Sequence, residues 1–264
     1  MNSVSVFFRR GGWSPLIFLS RKHPRRTRFL VFFPVFLLAS CGIETLPYIY
    51  PVDSGTTALT GGVLSFSHAA DNGNIATRDY FKGYVLYYKL YTNDDSGKAL
   101  LDEDTEAILA SPVSPGPTRL TSRGYLPMVT ETGDLPHIGI DAEENAIPIE
   151  MFVTQPTLGN DQDLIATWTP AGSSSQSITF RRDSLDSDAT TSTRTFDSAE
   201  EFWSTSGFEP DDYDVSRMIP QSVQTDLDHG ILMVVFVLSY GINSTFQPFY
   251  SEPTLVYGEV PVTS

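Results

Sequence analysis

The nine residues GYVLYYKLY (83–91) decide the fold. Five are aromatic or β-branched, none after Gly83 breaks an extended chain, and a run this short cannot make a long helix. It reads as a β-strand with two faces: Tyr84, Leu86, Tyr88 and Leu90 on one, Val85, Tyr87, Lys89 and Tyr91 on the other. The first face carries no charge and is the expected core face.

Working outward, VLSFSH (63–68) alternates polar and apolar residues, the period-two signature of a half-buried strand, and DNGN (71–74) is a turn. Near the other end ILMVVFVL (231–238) is uniformly apolar for eight residues. That is far too short to cross a bilayer and fits a strand buried on both sides. A Gly/Asn/Ser/Pro-rich loop follows, then a last strand at about 253–257. Between these ends AIPIEMFV, DLIATWTP and QSITFRR read as further strands. LLDEDTEAILA (100–110) has acids in its first turn and an apolar stripe of Leu101, Ala107 and Ile108, so it reads as a helix. SPVSPGP (111–117) forbids its continuation. SAEEFWSTSGF (198–208) suggests a short helix capped by Ser198, and the polar DSLDSDATTSTRT (183–195) an exposed loop.

Residues 63–91 and 231–260 together resemble a fibronectin type III module. The first pair of strands corresponds to its strands B and C, with the pattern G-Y-x-x-Y-Y at 83–88. The last pair corresponds to F and G, with SYG at 239–241 and YSEPT at 250–254. Phe66 or His68 stands where that family has its strand B tryptophan. The resemblance implies an all-β chain, mainly an antiparallel sandwich over residues 61–264, with a large insertion at about 93–230 that holds one or two short helices. It implies no activity.

Charge divides the chain elsewhere. The whole sequence has 17 basic and 32 acidic residues. Residues 1–40 hold seven of the basic ones and no acid, so residues 41–264 carry a net charge of −22. Such a body is a poor nucleic-acid binder, because phosphate binding needs Lys and Arg to displace counterions. It is also repelled by anionic lipid. The basic RKHPRRTR (21–28) precedes an eleven-residue apolar run, Phe29 to Ala39, the length of a signal-peptide core and half that of a membrane helix. Next comes Cys41, the single cysteine of the chain, which permits no internal disulfide. Leu38-Ala39-Ser40-Cys41 resembles the bacterial lipobox, in which small residues admit signal peptidase II and the thiol accepts a diacylglyceryl group. The resemblance implies that residues 1–40 are a signal peptide, that Cys41 is lipidated with chains of the palmitate type, and that residues 41–60 form a tether. Two acyl chains suffice for stable attachment. In order and texture the chain is also similar to envelope lipoproteins of treponeme-type spirochaetes, which implies an exported protein on the outer membrane or the periplasmic face of the envelope.

Reaction chemistry is sparse. GSSSQ (172–176) lacks the second glycine of a nucleophile elbow, and there is no H-E-x-x-H, cysteine pair, P-loop or G-x-G-x-x-G. His68, His137 and His229 would need tertiary assembly to serve a nucleophile. TNDDSGKALLDE (92–103) aligns in part with a calcium loop through Asp94, Ser96, Gly97 and Glu103, although Thr92 cannot supply the first carboxylate. The acids Asp183, Asp186 and Asp188, and Asp211, Asp212 and Asp214, have weaker spacing. Asn243-Ser244-Thr245 is a sequon without a use in a bacterial lipoprotein. The reading is therefore a non-enzymatic envelope protein that binds a protein or glycan, with no catalytic residue, metal or cofactor. The alternatives are an envelope hydrolase using carboxylates or a histidine, and a purely structural envelope protein.

Overall fold

The computed structural model describes residues 48–60, 63–74, 77–110, 115–130, 132–140, 147–152, 164–182, 213–220 and 230–261. All lie within the compact unit Pro47–Ser264. In chain order they form β1 (Ala58–Thr60), β2 (Val63–Ser67) and β3 (Phe81–Thr92), then helices α1 (Asp95–Ala110) and α2 (Gly116–Ser122). The short strands β4 (Leu126–Pro127), β5 (Val129–Thr130) and β6 (Ile138–Gly139) lead to β7 (Pro148–Phe152), β8 (Leu164–Trp168) and β9 (Gln176–Arg181). Helix α3 (Tyr213–Met218) precedes β10 (Ile231–Ile242), β11 (Pro248–Tyr250) and β12 (Thr254–Pro261). No described helix is long and apolar enough to cross a membrane.

Every described strand pairing is antiparallel, and the strands make two sheets. The first runs β1-β2-β7-β8-β9-β5. The second centres on β3 and β10, paired from Ile231↔Thr92 to Gly241↔Phe81. Strands β11 and β12 add to the far side of β10, β4 and β6 to the far side of β3. Residues 126–130 join the sheets at one edge, since Leu126 faces Tyr88 of the second sheet and Val129 faces Arg181 of the first.

Strand β3 shows why the fold has three layers. Its uncharged face, Tyr84, Leu86, Tyr88 and Leu90, enters the inter-sheet core with Leu64, Phe66, Ile149, Met151, Val235 and Val237. That agrees with the sequence. The other face was not expected to be dry, yet Val85, Tyr87 and Tyr91 are buried under Leu101 and Ile108 of α1, Leu120 of α2 and Tyr125. Both faces of β10 are buried for the same reason, which accounts for its unbroken run of apolar residues.

The expected insertion differs from the structure in several respects. It holds three helices among the described residues, and α1 is 16 residues long rather than short. Helix α1 begins at Asp95, five residues before the predicted start, because the Asp94 carboxylate accepts the Gly97 N–H at 2.7 Å and caps it. Helix α2 starts inside the proline-rich stretch, where proline fits the first turn of a helix because its missing N–H would have no partner there. The region is also no appendage: it supplies β7, β8, β9 and β5, four of the six strands of the first sheet.

The expected tether is likewise shorter. Ile49 and Val52 are core residues, 1% and 3% exposed. The backbone around them is held by the body: Asn72 bridges the N–H and C=O of Tyr50 at 2.7 and 3.0 Å, and Thr254 Oγ1 donates to the Val52 carbonyl at 2.8 Å. The helix predicted at 198–208 and the loop at 183–195 lie outside the described residues.

Candidate functional site

Cys41 and the lipobox residues Leu38, Ala39 and Ser40 lie outside the described residues, as do His229, Asp183, Asp186, Asp188, Asp211 and Asp212. The remaining candidates are placed as follows.

His68 and His137 are both buried and both engaged in architecture. His68 Nδ1 lies 2.7 Å from the Tyr84 hydroxyl oxygen, which also accepts the Ala69 N–H at 3.0 Å. His137 fills a break in the sheet. Strands β4 and β6 pair with β3 at Tyr87–Tyr88 and Gly83–Tyr84, and between them the Leu86 N–H donates to His137 Nδ1 at 3.1 Å. The ring thus stands in for a missing strand residue and must keep Nδ1 unprotonated to do so. Burial lowers its pKa to about 4, in the same direction.

The calcium-loop reading of residues 92–103 is overturned. Gly97 sits in the first turn of α1 and Glu103 in its third, so the chain is helical where a calcium loop must be open. Asp94 Oδ1 accepts the Gly97 N–H and the Thr92 hydroxyl, at 2.7 and 3.0 Å. Among the described residues no group of three or more His, Cys, Asp or Glu is placed to hold a metal ion.

Two buried polar clusters, neither anticipated, flank β3 on opposite faces. On the helix side the Lys89 ammonium meets Asp104 Oδ2 at 2.5 Å and the Arg123 carbonyl at 2.8 Å, over the face of the Tyr91 ring at 4.8 Å. Tyr91 donates to the same carboxylate oxygen at 2.9 Å, and its hydroxyl lies 3.0 Å from that of Tyr125. Burial first, then the neighbouring Tyr125 and Asp104, push the Tyr91 hydroxyl far above its ordinary pKa. On the sheet side Asp214 accepts from Arg182 at both oxygens and from the Tyr88 hydroxyl at 2.9 Å. A signal for the first cluster was present. Leu101, Asp104 and Ile108 share one helical face, so an acid on the buried stripe of α1 matches Lys89, the one lysine within the stretch 83–91.

A cleft of about 200 Å³ opens where the end of β3 meets α1 and α3. Tyr91, Leu100 and Met218 form its apolar wall, and Thr92, Asp94 and Ser96 its polar one. The Tyr91 hydroxyl is committed to Asp104 and Tyr125, and Asp94 Oδ1 to capping α1. Among the described residues, what remains is a shape with a few polar groups, of the kind that holds a small group. No family model, curated protein or solved structure matches the chain.

Proposed function

We propose that the chain is an exported lipoprotein, anchored through acyl chains on Cys41, whose acidic body acts in binding or interaction at the cell envelope. The observation that carries this reading is the register of a basic cluster, an eleven-residue apolar run and Leu38-Ala39-Ser40-Cys41. A body of net charge −22 would not stay on a bilayer by electrostatics, so the acyl chains supply the attachment. The binding role, with a protein or glycan as ligand, is favoured over a hydrolase by the surroundings of His68 and His137. Each is spent on a structural hydrogen bond, and neither lines the cleft.

A fibronectin type III-like arrangement is part of the same reading. In immunoglobulin-like sandwiches strands C, F and G share one sheet while A, B and E share the other. Here β3, β10 and β12 are consecutive neighbours, and β1, β2 and β7 lie in the opposite sheet, which supports taking β2, β3, β10 and β12 as the B, C, F and G equivalents. The spirochaete envelope remains the setting that the texture of the sequence suggests.

The test is the Cys41→Ala variant, expressed in a bacterium fed radiolabelled palmitate. The parent protein is expected to incorporate label and to fractionate with membranes, while Cys41→Ala does neither. Membrane retention of unlabelled Cys41→Ala would overturn the anchor.

A further inference from the structure

We propose that the end of the body bearing Tyr48, Tyr50 and Phe246 is seated on the lipid surface that holds the acyl chains; the proposal rests on the lipoprotein reading of Cys41. Phe246 is 89% exposed at the tip of the turn between β10 and β11. Its φ is +60°, a left-handed backbone that a bulky side chain rarely adopts. The turn holds it there. Asn243 Oδ1 accepts from the Thr245 N–H, the Thr245 hydroxyl and the Gln247 N–H at 2.8–3.0 Å, and the Phe246 N–H donates to the Asn243 carbonyl at 3.0 Å. A ring held out into water on a tied-down turn is apolar area that a partner surface would bury.

Three of the four other large exposed hydrophobics among the described residues, Tyr48, Tyr50 and Leu135, connect to the same end, while Leu109 lies on α1. Tyr48 and Tyr50 stack edge to face, 5.1 Å apart, and are 56% and 37% exposed. The Tyr50 carbonyl is bonded by Ser239, four residues before the Asn243 turn on β10, a distance of about 13 Å along the strand. Leu135, 44% exposed, adjoins Pro136, which lies against Gly83, the partner of Tyr240. The occupant follows from where the chain goes. Six residues separate Tyr48 from Cys41, a reach of at most about 25 Å, so this end is the one an acylated Cys41 holds near a bilayer. Aromatic side chains with a polar tip favour that interface, and a phenylalanine at the tip adds apolar area.

The experiment uses the acylated protein in phosphatidylcholine vesicles. Acylation consumes the single native thiol, so one introduced cysteine can carry an environment-sensitive dye. Ser244→Cys places it beside Phe246. Ala99→Cys places it on the early part of α1, beyond the Thr92 end of β3, which spans about 35 Å from Phe81. The expected result is blue-shifted emission and quenching by spin-labelled lipid at residue 244 and neither at residue 99, with the quenching at 244 reduced when Phe246→Ser is added. Flotation with the vesicles but an aqueous signal at both positions would overturn the seat and keep the anchor, leaving a protein or glycan as the occupant of this end. Equal quenching at both positions would overturn it as well. Failure of the acylated protein to float would remove the anchor and the seat together.

Discussion

Arg182 and Asp214, both fully buried, meet through two parallel hydrogen bonds, Nη2 to Oδ1 at 2.7 Å and Nε to Oδ2 at 3.0 Å. Tyr88 and the Val215 N–H complete the carboxylate's set of donors. Such a pair is held by mutual compensation, since each charge alone in the core is costly. Asp214→Asn or Arg182→Met is therefore expected to destabilise the body by roughly 3–5 kcal/mol in urea titrations. The triple variant Arg182→Met, Asp214→Leu, Tyr88→Phe is expected to lose less than either single change, because it removes the three polar side chains together and leaves only the Val215 N–H to find another acceptor. A triple variant weaker than both singles would show that the pair contributes more than compensation.

The His137 ring links stability to pH. Its folded-state pKa, near 4, is below the unfolded value of about 6.5, so the unfolded chain binds the proton first as pH falls. The contribution is fully present above pH 6.5 and is lost progressively down to pH 4, by roughly 3 kcal/mol in all. His137→Gln, which keeps an acceptor near the Leu86 N–H, is expected to flatten that part of the pH–stability curve. An unchanged slope in denaturation midpoints between pH 6.5 and 4 would assign the dependence to other groups.

Asp94 separates capping from metal binding. Asp94→Ala is expected to cost about 1 kcal/mol through the lost cap, and Asp94→Asn only a few tenths, since Asn caps equally well. Added calcium is expected to leave the thermal midpoint of the parent protein unchanged. Calcium-dependent stabilisation abolished by Asp94→Asn would restore the loop reading.

Gly83 stands where two backbones nearly touch. With φ at +145°, a β-carbon there would lie 2.0 Å from the Ile138 carbonyl oxygen. Gly83→Ala is expected to destabilise the protein on the order of 2–4 kcal/mol by prising β6 from β3. Rapid amide exchange at the β3–β6 pairing in that variant would locate the damage.

Particular residues show how far the sequence could be read. The strands were legible wherever one segment carries its own pattern: the alternation of Leu64 and Phe66, the aromatic run of β3, the apolar run of β10. The cover over Val85 and Tyr87 was not, because it depends on α1 and α2 folding back across the second sheet. Pro115 and Pro117 read as breakers while Pro117 opens α2, since proline stops one helix and begins another by the same fixed geometry. Strand order in the first sheet was hidden as well. Nothing local in Ile149 or Ala166 names its neighbour. Of the site residues, His68 and His137 were visible as chemical types, but their roles are set by a tyrosine and a backbone N–H supplied from elsewhere in the chain.

The pairing of β3 with β10 has a consequence in time. The two strands meet along their length, yet about 140 residues of chain lie between them, so the central ladder closes a very long loop. During synthesis from the N-terminus, the apolar edge of β3 is complete long before its partner emerges. The middle of the protein is thus completed late, when only β11 and β12 remain to be added to β10. Until then the nascent chain carries an unpaired, aggregation-prone strand that whatever escorts it must keep from pairing with strangers.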